Sequence, residues 1–107
     1  MKTPEEIAKI QISEKFIDGM KNRMIVSYFK YGDIRDCFPH KTNALATAID
    51  RIKTYEKTKN TEFLIDASNF LMIEFILPSI EGAFFRATDS HESPGTIDVE
   101  GKRKKIN

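Results

Sequence analysis

The chain has no tryptophan and a single cysteine, Cys37, among its 107 residues. One cysteine excludes an intrachain disulfide and fits a reducing, cytoplasmic compartment (host cytoplasm for a phage-encoded chain). Five glycines and four prolines are scattered along the chain. That excludes a collagen-like or linker-like polymer and leaves no Gly-rich loop to cradle a phosphate. No apolar run approaches the ~20 residues that cross a bilayer. The opening MKTPEEIAKIQ also lacks the apolar centre of a signal peptide. No membrane partner is therefore expected. An excess of one charge is missing too: 17 Lys and Arg stand against 16 Asp and Glu, for a net charge of +1. The whole molecule thus makes no electrostatic case for nucleic acid. The local exception is the run Lys102-Arg103-Lys104-Lys105, expected to be a solvated terminus. Sustained apolar/polar alternation is absent except for Thr96-Ile97-Asp98-Val99, which is too short to define a sheet.

What is present is helical periodicity. Thr3-Pro4-Glu5-Glu6 carries a capping box with Pro at the first helical position. Ile7, Ile10, Ile17, Met20, Met24 and Tyr28 then recur at steps of three, four or seven. Gly19 interrupts this pattern and predicts a kink or a break into two helices, and Gly32 predicts the stop. After a connection, DIRDCFPHKT, a second segment runs from about Asn43 to about Lys57. Asn60-Thr61 can cap a third, which Pro78 ends. Beyond Pro78 the composition turns to Ser, Thr, Asp, Gly and Pro, and an irregular stretch is expected, with Ala83-Phe84-Phe85 pinned on the core. The fold class is thus all-α: a small bundle of three (or four) helices with an irregular C-terminal tail. Residues 1–95 read as one helical domain and 96–107 as a basic flexible tail.

The third segment, NTEFLIDASNFLMIEF, is apolar around most of its circumference. At about 100° per residue, Asp66 lies ~40° and Asn69 ~20° from Glu62, so the three share one polar stripe. Glu74 stands outside it. Two other substantial helices cannot cover so wide an apolar surface, which predicts a homo-oligomer. The stripe reads as a wet face, with Glu62 favouring the positive helix end. Alternatively it is a site: Glu62 and Asp66, one turn apart, have the spacing to share a Mg²⁺ that borrows other ligands from a phosphate.

Lys30-Tyr31-Gly32, then Arg51-Ile52, then Leu64-Ile65-Asp66-Ala67-Ser68-Asn69-Phe70 together resemble the small all-α nucleotide-handling proteins of phages. These are the MazG-like NTP pyrophosphohydrolases and their nucleotide-modification-associated relatives. The resemblance covers about residues 28–75. It implies a nucleotide ligand, with Asp66 matching the metal-binding acid and Asn69 its neighbouring Asn. Catalytic members carry E-x-x-E on one helix and E-x-x-D on another. Here ALATAIDRIKTYEK offers only Asp50 and Glu56, so binding without turnover is favoured and no catalytic residue is assigned.

The C-terminal segment adds Arg86, which can grip phosphate bidentately, and the hydroxyls of Thr88 and Ser90. Tyr31 (or Tyr28) can stack a base while Lys30 and Arg51 meet phosphate. His40, His91 and Cys37 do not lie at zinc-ligand spacing. The leading expectation is a small protein that binds, and sequesters, a nucleotide or nucleotide-derived signal. The alternatives are a Mg²⁺-dependent pyrophosphohydrolase and a helical interaction protein without a ligand.

Overall fold

The computed structural model describes residues 1–104, so Lys105 of the basic run lies outside the described residues. The described chain is built from four α-helices, a 3₁₀ turn and one two-stranded ribbon: α1 Pro4–Gln11, α2 Glu14–Tyr31, the 3₁₀ turn Ile34–Asp36, α3 Ala44–Thr58, α4 Glu62–Ile76, β1 Thr96–Ile97 and β2 Arg103–Lys104.

The capping box forms as its residues require. Thr3 Oγ1 accepts from the Glu6 backbone N–H at 3.2 Å, and the Thr3 N–H donates to Glu6 Oε1 at 3.0 Å. The break in the N-terminal helical stretch lies at Ile12–Ser13, not at Gly19. Ile12 is extended, and Ser13 Oγ accepts from the Phe16 N–H at 3.0 Å to start α2. A serine that can satisfy an orphan N–H defines a helix start more effectively than a glycine defines a stop. Gly19 lies inside α2 for a different reason. A Cβ there would come 2.8 Å from Ile65 Cδ1, so the missing side chain lets α2 approach α4. Gly32 ends α2 at φ 84°, its N–H donating to Tyr28 O at 2.8 Å.

Asn43 caps α3 through the Ala46 N–H at 2.9 Å, and Asn60 Oδ1 accepts from the Glu62 N–H at 3.1 Å. Thr61 itself makes no side-chain cap bond. Only Lys59, Asn60 and Thr61 join α3 to α4, so the two run antiparallel. Their contact is made by small side chains: Ala44, Ala48 and Ala67 are buried, Ala48 completely. With Ile73 and Asn69 they are the buried residues of the described chain. α2 lies across α4. No helix among the described residues is long and apolar enough to cross a membrane.

After α4 the chain folds on itself. Glu74, the carboxylate outside the stripe, accepts from the Ser79 N–H at 2.7 Å. Ala83-Phe84-Phe85 is not pinned on the core: Phe85 meets Phe75 edge to face at 5.9 Å, and both rings are exposed. Part of the expected tail is ordered as a ribbon. Thr96 pairs with Lys104 and Ile97 with Arg103, and Asp98 Oδ1 accepts from the Glu100 and Lys102 N–H groups, each at 2.9 Å. An aspartate that bonds backbone two residues on is the usual way to close such a turn.

Candidate ligand cleft beneath α2

Where α2 crosses the α3–α4 hairpin, a cleft of about 540 Å³ opens between the three helices and the 3₁₀ turn. That volume lies within the range of small-molecule sites. α2 contributes Arg23, Ser27, Tyr28 and Tyr31. The segment after it contributes Ile34, Arg35, Cys37 and Phe38, while the hairpin supplies Arg51, Asp66, Asn69 and Phe70. The 3₁₀ turn is fixed by Asp33, whose Oδ1 accepts from the Arg35 N–H at 2.9 Å. That backbone bond is the main cause holding the Asp33 carboxyl below the usual carboxylate range.

The polar stripe of α4 meets arginines of its own chain through Glu62 and Asp66, while its Glu62 end stays open to water. Arg23 Nη1 donates to Glu62 Oε1 at 2.6 Å, and Arg23 Nη2 lies 3.8 Å from Asp66 Oδ1. Arg51 Nε donates to Asp66 Oδ2 at 2.7 Å and Nη1 to Asp50 at 2.8 Å. Exposure falls along the stripe, from 58% for the Glu62 side chain to 20% for that of Asp66. Asn69 ends the series at 4%. The wet-face expectation therefore fails at its inner end, because α2 crosses there and Gly19 lets it come close.

Asn69 is the most informative residue of the cleft. Its Nδ2 donates to the Met20 carbonyl at 3.1 Å. A carbonyl accepts only, so this bond fixes which way the amide points. Oδ1 is left buried with no partner among the described residues. A buried acceptor without a donor costs about 1–3 kcal/mol. Beside it the Arg51 guanidinium sits 5.4 Å from the Phe70 ring centroid, and Phe38 meets Phe70 at 6.2 Å. The cleft thus combines aromatic walls, three guanidinium groups, those of Arg23, Arg35 and Arg51, and a hidden acceptor.

Of the residues singled out from sequence, Tyr28, Tyr31, Arg51, Asp66 and Asn69 come together here. Glu62 stands at the rim through Arg23. Lys30 lines a shallow adjoining groove with Asn22, Arg23, Val26, Ser27 and Tyr31. Arg86, Thr88 and Ser90 do not line the cleft. They lie on the exposed segment after α4, where Arg86 is paired with Glu92 six residues on. That pairing raises the Arg86 guanidinium and, as the largest cause, lowers the Glu92 carboxyl. Both members of the expected Mg²⁺ pair are engaged by Arg23, and the described residues hold no group of three or more His, Cys, Asp or Glu at metal-binding distance.

Sequence reasoning missed Arg23, Phe38 and Phe70. Arg23 had a signal, since it falls three residues after Met20 and four before Ser27, on the inner face of α2. Phe38 had none, because its place depends on the path of an irregular connection. Neither a protein-family model, nor a curated protein, nor a solved structure matches this chain.

Proposed function

We propose that the cleft beneath α2 binds a nucleotide or nucleotide-derived ligand and releases it unchanged. The observation that carries this reading is Asn69, a residue of the cleft wall whose Oδ1 is a buried acceptor without a donor, in a cleft that also holds Arg23, Arg35 and Arg51. A base carries ring and exocyclic N–H donors and a π face, and a phosphate is a natural partner of a guanidinium. The base would stack among Tyr28, Tyr31, Phe38 and Phe70, with one N–H on Asn69. Arg51 and Arg23 would turn their remaining donors to phosphate, and Lys30 would meet a phosphate reaching the neighbouring groove. The ligand class matches that of the MazG-like proteins the sequence resembles, without their hydrolytic step. Glu62 and Asp66 are already neutralised by arginine, which favours binding over Mg²⁺-assisted turnover.

Titration calorimetry with mono-, di-, tri- and cyclic nucleotides, with and without Mg²⁺, tests the proposal. Saturable binding to at least one is expected, with ligand recovered intact. Arg51→Lys, which keeps the charge but loses the planar fork, should weaken that binding about tenfold. A panel without any binding would sink the reading, and release of pyrophosphate would replace it with the enzymatic one.

A further inference from the structure

The chain exposes far more surface than its mass requires. Its accessible area is 8999 Å² for 12.3 kDa, whereas a compact monomer of that mass shows about 6,100 Å². Its radius of gyration is 16.5 Å, against about 13 Å for a compact domain of this length. The excess, about 2,900 Å², is spread over the helices and the exposed segment after α4, and it exceeds the roughly 1,000–2,500 Å² that one subunit hides in an obligate dimer.

Helix geometry locates a broad uncovered apolar face. On α4, Leu64, Leu71 and Phe75 fall within an arc of about 40°. Leu71 lies about 160° round the helix from Asn69, the residue bonded to α2. Leu71 and Phe75 are 47% and 69% exposed, with Phe85 of the same chain against one edge of Phe75. On α3, Leu45, Ile49 and Ile52 fall within about 60°, at 100° or more from Arg51, the residue facing the cleft. Ile49 and Ile52 are likewise exposed. Because α3 and α4 are antiparallel neighbours, the two stripes form one surface on the side of the hairpin away from α2. The exposed Ile25, Val26 and Phe29 of α2 form a smaller cluster on a single helix, interleaved with Asp18, Lys21 and Asn22.

We infer that this hairpin face is covered by a second copy of the chain, packed hairpin on hairpin as a four-helix core about a twofold axis. The exposed area is enough to supply such an interface. A net charge of +1 opposes no self-association. Glu56 falls inside the Leu45, Ile49 and Ile52 arc and Lys53 about 40° beyond it, so the face carries opposite charges that a twofold axis can bring together. The cleft lies on the other side of the hairpin, so ligand binding and assembly fail separately.

Sedimentation equilibrium on the unaltered chain should give twice the 12.3 kDa chain mass. Leu71→Asp and Ile49→Asp should each raise the dimer dissociation constant by ~100-fold or more, with helicity by circular dichroism and nucleotide affinity retained. Phe29→Asp should leave the dimer intact. For variants that fail to fold, lysine cross-linking of mixed normal and heavy-isotope copies of the unaltered chain decides. Intermolecular links between Lys53 and Lys57 are expected. A monomeric unaltered chain, a dimer that survives Leu71→Asp, or intermolecular links confined to Lys21 and Lys30 of α2 would each overturn the inference.

Discussion

Two arginine–carboxylate systems in this protein use the same chemistry to opposite ends. In the helical part, Arg51 and Arg23 reach carboxylates 15 and 39 residues away, and Asn69 bonds a carbonyl 49 residues away. Beyond α4, Arg86 reaches Glu92 six residues on, and the longest such bond, Arg103 to the Pro94 carbonyl, spans nine. The first system ties three helices together and is partly covered at its Arg51–Asp66 end. The second only rounds off exposed loops. Charge pairs contribute according to what they hold and how far they are desolvated.

Perturbations of the helical side should therefore dominate. Ala48→Leu should have the largest effect, about 3 kcal/mol of destabilisation in urea titration. Ala48 is wholly buried where α3 meets α4, and added carbons must force the hairpin apart. A loss below 1 kcal/mol would mean that the alanine contact is looser than its burial indicates. Asp66→Ala comes next, at about 2 kcal/mol, since it strands Arg51 and removes the second partner of Arg23 in a partly covered site. If Asp66→Ala and Arg86→Ala cost the same, the contrast between the two regions is wrong.

Gly19 gives a finer reading of the same packing. Gly19→Ala gains about 1 kcal/mol of helix propensity but forces Ile65 Cδ1 to move. Because that atom is the far end of a flexible side chain, the net change should be near zero. Gly19→Val should destabilise by roughly 2 kcal/mol, as its branched side chain cannot be accommodated by one rotamer change. Equal thermal midpoints for both variants would show that α2 does not press on α4.

The smallest effects belong to the C-terminal segment. Glu92 has a folded pKa lowered first by Arg86 and then by the Asp89 backbone N–H. A lowered folded value means the contact is fully present above the ordinary glutamate value of about 4.3 and is lost as pH falls through the depressed one. NMR titration of the Glu92 carboxyl should show that midpoint below the ordinary value, and Arg86→Ala should restore it. Because the group is exposed, Arg86→Ala should leave the urea midpoint of the helices essentially unchanged. A normal Glu92 midpoint in the unaltered chain would remove the pairing.

The sequence by itself determined the helices and most of their ends. Thr3 with Glu6, Asn43, Asn60, Gly32 and Pro78 act within four residues of themselves, through caps, positive φ or a missing N–H, so their effects are legible without a fold. It also determined that Glu62, Asp66 and Asn69 share a stripe, since helical pitch alone does that. Only the tertiary structure decided what the stripe faces. Arg23 meets Glu62 across a helix crossing where α2 comes close to Ile65 of α4 at Gly19, and alanines draw α3 against α4. The Arg86 segment was misjudged for the converse reason: nothing local says whether an irregular loop lies over a distant cleft or satisfies its own charges. Local rules fix a residue's direction on its helix. What lies in that direction depends on which helices can come close, and here small side chains and buried contacts far apart in the chain set it.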